Sequence, residues 1–396
     1  MTNAHSGELA IVMSGGGARA AYQVGLLRWL ARRHPEIRVS ILTGVSAGAI
    51  NAVFLAAHTT SFRDRVDRLV ELWKGLSADQ VFRVDTFSLG RNVMRLGLKL
   101  VSGGALVKPR THAAVDTSPL WSLLARAFHS EDGKLPGIEE NLRLGVLRAV
   151  AITTSSYTTN QSITWVQGRG IEQWERAHRR SFNTEIDVRH VMASSALPML
   201  FPAVKIGGQW FGDGGIRLTA PLSPAVHLGA DKILAISTRH QPSRAEADEH
   251  DVPGYPPPAQ ILGTILNSIF LDQFDADALT MERVNKILEA VPAMRERGFR
   301  PVRMLVLRPS RDLGRLANEY EADLPRTFRF LTRGLGTKET RTNDLLSLVM
   351  FQPDYLTSMI DLGEADAEKR RDEIDTFLET PDGYPVPPTN RREMTG

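Results

Sequence analysis

The chain has 396 residues, 42% of them hydrophobic and 23% charged, and no cysteine. That composition supplies one large core or two moderate ones and excludes disorder and collagen-like repetition. The missing thiols exclude a disulfide framework, a thiolate nucleophile and a sulfur-bound zinc site. Lys plus Arg total 48 against 45 Asp plus Glu, a formal charge of +3, which is too small an excess to imply nucleic acid as a partner.

Met1 to Glu8 is polar, and the apolar run after it stops at Ser14, short of a signal h-region or a membrane span. No other window approaches ~18 uninterrupted apolar residues. A soluble, unexported, cytoplasmic protein is expected, with any membrane contact peripheral.

Leu9 to Met13 reads as a strand, Ser14 to Gly17 as a glycine turn, and Ala20 to Ala31 as a helix through Ala21, Val24, Leu27, Leu30 and Ala31. A second strand is predicted from Ile37 through Leu42 to Gly44, followed by a turn at Ser46 and a small-residue helix from Ala47 to about Ala57. Two successive strand-to-helix units predict an α/β fold with a mainly parallel central sheet. Phe82 to about Gly133 reads as an insertion over one end of the sheet. As far as Arg110, its Arg83, Arg91, Arg95, Lys99, Lys108 and Arg110 are accompanied only by Asp85. With Val93, Leu96, Leu98 and Leu100 interleaved, this stretch fits either an anionic lipid surface or a solvated helix packed on the core.

Further strands are predicted over Gly145 to Thr153, Ser162 to Val166, Lys232 to Ser237 and Val302 to Leu307. Gln241 to Pro258 is a loop by composition, and Ile261 to Ala293 and Leu313 to Leu378 read as mostly helical. The division is therefore 1–240, 241–380 as a mostly helical extension packed on the core, and 381–396 as a disordered tail. No internal repeat is present.

Gly44-Val45-Ser46-Ala47-Gly48 fits a serine on a sharp strand-to-helix turn. Gly44 and Gly48 stand two positions away on either side, where the strained turn leaves little space. The helix beginning at Ala47 aims its free N–H groups at the same place. Gly15-Gly16-Gly17-Ala18-Arg19 also opens a helix after a strand, so its amides converge on an anion. A dinucleotide pyrophosphate is one candidate, since Gly15, Gly17 and Ala20 satisfy G-x-G-x-x-A. Glu36, however, precedes its strand where a ribose-binding acid should follow it. The oxyanion of an acyl-transfer intermediate is the other candidate, because Ser46 lies at the same sheet edge.

A serine nucleophile needs a base. Asp213, framed by Gly212, Gly214 and Gly215, is the leading candidate, though Asp-Gly is also a hairpin signal, with Val204 to Ile206 and Gln209 to Phe211 as its arms. A Ser-His-Asp hydrolase would instead use a histidine after the acid, and His227, His240 and His250 all follow Asp213. None of the three has a glycine-framed setting.

Taken together, Gly15 to Arg19, Gly44 to Gly48 and Asp213-Gly214-Gly215 resemble the patatin-like phospholipase family, bacterial type. Ala193 to Pro198 with Phe201-Pro202, Pro221-Leu222, and Leu228 to Asp231 support the resemblance, which spans Leu9 to about Ser237. It implies a three-layer α/β/α core and a lipid acyl hydrolase of phospholipase A, lysophospholipase or carboxylesterase type. It also implies a Ser-Asp dyad working through an acyl-enzyme, with no metal and no cofactor. Ser46 would be the nucleophile and Asp213 its partner, with Gly15, Gly16 and Gly17 as the oxyanion hole and Arg19 stabilising that loop or the charge near it. Phospholipid or another acyl-ester lipid would be the substrate. Ala20 departs from the family's usual glycine. A Ser-His-Asp esterase and a non-catalytic nucleotide- or lipid-binding α/β protein remain the alternatives.

Overall fold

The structure is a computed structural model. It describes residues 7–83, 115–198, 200–248, 254–270, 272–291, 300–324 and 342–380, together with Met294 and Arg329. Most of the basic insertion (Arg91, Arg95, Lys99, Lys108 and Arg110 with Asp85), His250 and the tail from Pro381 lie outside the described residues.

Ten strands form one sheet: β1 Leu9–Met13, β2 Ile41–Val45, β3 Ala149–Ser156, β4 Ser162–Gly168, β5 Glu175–Arg176, β6 Arg179–Asn183, β7 Val204–Ile206, β8 Gln209–Asp213, β9 Lys232–Ile236 and β10 Arg303–Leu307. The order β10–β9–β1–β2–β3 is parallel throughout. Beyond it β4 runs antiparallel to β3, and β8 pairs antiparallel with the last residues of β3, so the sheet is mixed at this end.

The principal helices are α1 Ala21–Arg33, α2 Ala47–Ala57, α3 Phe62–Lys74, α4 Ser118–Ala127, α5 Pro136–Arg143, α6 Val188–Ser194, α7 Ser223–His227, α8 Pro258–Phe270, α9 Asp272–Ala290, α10 Leu313–Glu319, α11 Asp344–Val349, α12 Pro353–Lys369 and α13 Arg371–Glu379. The two-residue period of a strand sends its side chains to opposite faces. Leu9, Ile11 and Met13 of β1 join a core with α1, α2, α3 and α12, while Ala10 and Val12 join a second core with α7 and α9. Helices thus cover both faces, giving a three-layer α/β/α arrangement with a central, mainly parallel sheet.

Several boundaries differ from the pattern in the sequence. The second strand begins at Ile41, not Ile37: Ile37 closes a turn by donating to the carbonyl of His34, and ladder pairing with β1 starts only at Ile41. The third begins at Ala149, not Gly145. Gly145 has φ +69°, and the amides of Val146 and Leu147 both donate to Asn141, which closes the end of α5. At its other end β3 continues through Thr154 to Ser156 because β8 supplies a partner there. The pair β5–β6 has no sequence signature, since Arg179–Asn183 is polar and sits toward the sheet edge.

The described strand and helices beyond 240 build into the same layers. β10 extends the parallel sheet on β9, and α12 lies along α1. Two glycines let these helices touch: a Cβ on Gly25 would collide with the carbonyl oxygen of Ile360, and one on Gly363 with that of Tyr22.

Candidate active site

Ser46 sits between β2 and α2 at φ 56° and ψ −131°, a backbone conformation that L-residues rarely adopt. The sharpness of the turn explains its flanking residues. A Cβ on Gly44 would run into the carbonyl oxygen of Gly48, and one on Gly48 into those of Met13 and Ser14. Gly15 packs directly on the serine, its Cβ position lying 3.1 Å from Ser46 Cβ.

Two hydroxyls at the C-terminal end of α6 hold the Ser46 backbone. Ser46 N–H donates to Ser194 Oγ at 3.0 Å, Ser194 Oγ–H donates to the Thr153 carbonyl at 2.7 Å, and Ser195 Oγ–H donates to the Ser46 carbonyl at 3.1 Å. One residue on, the Ala196 carbonyl accepts from Asp213 N–H at 2.9 Å. The segment Ala193 to Pro198 therefore links the serine turn to the aspartate strand. Its motif is visible in the sequence, but the bridging role of Ser194 and Ser195 is not, because their partners lie more than forty residues away.

Asp213 ends β8 and is completely buried. Oδ1 accepts from Gly215 N–H at 2.9 Å, while Oδ2 is buried without a hydrogen bond. Burial pushes the carboxyl up from 3.8 to about 7, opposed by the nearby Ser46 hydroxyl and by the Gly215 amide. The Ser46 hydroxyl is thus a neighbour of the carboxylate and favours its charged form. Gly214 allows the chain to pass against β3, where a Cβ would collide with the Thr153 carbonyl.

The glycine turn lies beside them. Gly16 and Gly17 have φ +146° and +55°, and the 3-10 turn Gly17–Ala20 leaves its first amides without intrahelical acceptors. Thr238, just beyond β9, fixes the loop by donating from Oγ1 to the Gly15 carbonyl at 2.7 Å. Gln23 Nε2 donates to the Ser14 carbonyl at 2.8 Å, and its Oε1 accepts from Asn51, which in turn accepts from Trp73. This buried amide relay beneath the loop has no local sequence signal.

Arg19 does not contribute an oxyanion donor. Its backbone N–H donates to the Gly16 carbonyl, and its buried guanidinium faces away toward Asp344, Ser347 and Asn267. The arginine is tied to α11, an arrangement that fits the loop-stabilising role the resemblance implies for it.

A narrow cavity of about 40 Å³ opens on Ser46, walled by Ile50, Leu72, Trp73, Leu124, Phe201 and Phe351. This holds a few waters, far less than the ~300–1,000 Å³ of a filled ligand site. A larger cleft of about 750 Å³, near His190 and Trp165, includes neither Ser46 nor Asp213 in its lining.

Among the described residues, no histidine hydrogen-bonds to Ser46 or Asp213. His227 Nδ1 hydrogen-bonds the Ser223 carbonyl, and its ring stacks on Trp174. His240 pairs with the Pro309 carbonyl and Glu246. Among the described residues, no group of three or more His, Asp or Glu could hold a metal ion, and no helix is long and apolar enough to cross a membrane.

The fold and this site define an α/β protein with a serine on a strained turn facing a buried carboxyl. The family model for patatin-like phospholipase matches residues 11–226, more than half of the chain. The chain belongs to the patatin-like phospholipase family, a family of lipid hydrolases. No curated protein sequence matches it. Among solved structures it is similar to VipD from Legionella pneumophila, at 14% identity and TM-score 0.39 over 93% of this chain and 67% of that one. Human GIVD cytosolic phospholipase A2 is similar at 11% identity and TM-score 0.46, over 96% of this chain and 60% of the other. The type III effector ExoU of Pseudomonas aeruginosa gives 12% and 0.38, over 95% and 54%. The chain thus spans between 54% and 67% of the lengths of these proteins.

Proposed function

We propose that the protein hydrolyses acyl esters of lipids with a Ser46–Asp213 dyad. The observation that carries this reading is a completely buried aspartate raised to about 7, with one oxygen unpaired and the Ser46 hydroxyl as its neighbour. An aspartate near 4 is a weak base toward a hydroxyl proton, whereas one near neutral pH is matched to the task.

In the first step Ser46 Oγ bonds to the ester carbonyl carbon as Asp213 Oδ2 takes its proton. The carbonyl oxygen becomes an oxyanion facing the Gly16 and Gly17 amides. Collapse breaks the bond to the alcohol, which leaves with the proton from Asp213. Water then attacks the acyl-enzyme, giving one proton to Asp213, and collapse releases the fatty acid and returns that proton to Ser46. No histidine is required in this sequence.

Phospholipid or another acyl-ester lipid is the proposed substrate, matching the family and the apolar walls beside Ser46. A cytoplasmic location with peripheral contact to anionic membrane, through the basic stretch 82–110, completes the proposal. Liposome flotation with and without anionic lipid tests that contact, and absence of salt-sensitive binding removes it.

Hydrolysis of a short p-nitrophenyl ester tests the chemistry. Ser46→Ala and Asp213→Ala should each lower kcat on the order of 10³-fold or more, while His227→Ala, His240→Ala and His250→Ala retain activity. A fluorophosphonate should label Ser46. Labelling elsewhere would overturn the assignment, and a folded but inactive histidine variant would favour a Ser-His-Asp esterase.

A further inference from the structure

The family match ends at residue 226, yet a segment more than a hundred residues later lies against the glycine loop. Arg19 Nη2 pairs with Asp344 Oδ1 at 2.6 Å, Arg19 Nε donates to Ser347 Oγ at 2.7 Å, and Ser347 Oγ–H donates to the Asp344 carbonyl at 2.7 Å. The pair is nearly dry, with Arg19 and Asp344 side chains 4% and 15% exposed. At this depth the interaction is little screened and its geometry is held. The Gly17 backbone approaches so closely that a Cβ there would collide with the Leu348 carbonyl oxygen. Phe351, just past α11, lines the cavity at Ser46.

Oxyanion stabilisation depends on amides aimed at the developing charge before it forms. Gly16 and Gly17, at positive φ, have the conformational freedom to re-aim their N–H groups, so some neighbour must fix their direction. Thr238 does so on one side, and the other side is α11.

We infer that Asp344, acting through Arg19, is a positioning residue for the oxyanion hole, so that α11 belongs to the catalytic unit although it lies outside the family-matching segment. The inference rests on the Ser46–Asp213 reading and deepens it. Weakening the Asp344–Arg19–Ser347 contacts should leave ground-state binding intact and lose transition-state binding.

The test uses the full-length chain carrying Asp344→Asn or Ser347→Ala, with Ser46→Ala as the inactive control. It measures kcat and KM on a p-nitrophenyl ester, Ki for an alkyl trifluoromethyl ketone, whose serine adduct carries the oxyanion, and Kd for the corresponding fatty acid. A drop of about tenfold or more in kcat is expected, with a parallel rise in ketone Ki and with KM and fatty-acid Kd changed by less than about threefold. A merely structural contact would lower Tm without splitting Ki from Kd. Asp344→Asn leaves a buried guanidinium without its anion and could fail to fold; Ser347→Ala, which removes only a neutral hydroxyl, then decides. Wild-type kcat and ketone Ki in a folded variant would overturn this inference and leave the dyad intact. A wild-type protein that neither hydrolyses the ester nor binds the ketone would overturn both.

Discussion

Ser46 is held in a backbone conformation that costs a side-chain-bearing residue about 1–3 kcal/mol. Glycine pays no such cost, so the strain can be read by comparing two inactive variants. Ser46→Gly should unfold at higher temperature than Ser46→Ala, both lacking the hydroxyl; equal Tm values would show that the turn stores no strain. Asp213 makes a second residue-scale trade. Between its ordinary 3.8 and the folded value of about 7 the folded chain holds a proton that the unfolded chain has released. Stability from this group therefore falls as pH rises through that window. Asp213→Asn should be the more stable protein at pH 8, by up to about 4 kcal/mol, with the gap closing near pH 4. Wild-type kcat/KM should rise as pH increases through about 7, following ionisation of the base in the free enzyme. A flat profile from pH 5 to 9 would remove Asp213 as the base.

At the scale of elements, the site is assembled by the ends of strands. β1, β2 and β9 run parallel and finish on one side of the sheet, where ligands of such sheets bind. β8 comes in antiparallel against the end of β3 and delivers Asp213 beside β2's serine turn. Ser194 secures this junction by accepting from Ser46 and donating to Thr153. Ser194→Ala leaves a buried donor and a buried acceptor unpaired, which should cost about 1–3 kcal/mol in denaturant unfolding and lower kcat by loosening the nucleophile. A variant with wild-type stability would show that water or another group replaces the hydroxyl. Most of these strands are legible as short apolar runs between turns. The antiparallel reach of β3 is not, because Thr153 to Ser156 is a row of hydroxyls that becomes strand only when β4 and β8 supply partners.

Over the whole molecule, the described residues beyond 240 supply a sheet strand, the cover of α1 and, through Phe351, part of the wall beside Ser46. α12 is fastened to α1 by glycine-allowed backbone contact, by Trp29 donating to Glu368 at 2.7 Å and by Arg28 paired with Asp361 and Glu364. Since α1 also carries the glycine loop at its start, separating α12 should disturb the site from a distance. Gly363→Ala places a methyl group against the Tyr22 carbonyl. Overpacking of this kind costs about 1–3 kcal/mol or more, and Trp29 fluorescence and ester hydrolysis should then be lost in a single shared transition. Two separated transitions would show instead that 241–380 unfolds as an independent unit.

The sequence by itself determined what local chemistry can encode. It placed glycines where a backbone must turn or approach closely, a serine on a strand-to-helix junction, an aspartate in a glycine frame, and the alternation of strands and helices that defines the fold class. Only the tertiary structure decided how those pieces are held. The direction of the Arg19 guanidinium, the Ser194 and Ser195 bridge, the Gln23–Asn51–Trp73 relay and the α11 contact all join residues far apart in the chain. A pattern along the chain registers what each residue can do, whereas desolvation of Asp213 and the company Arg19 keeps depend on which surfaces close over them.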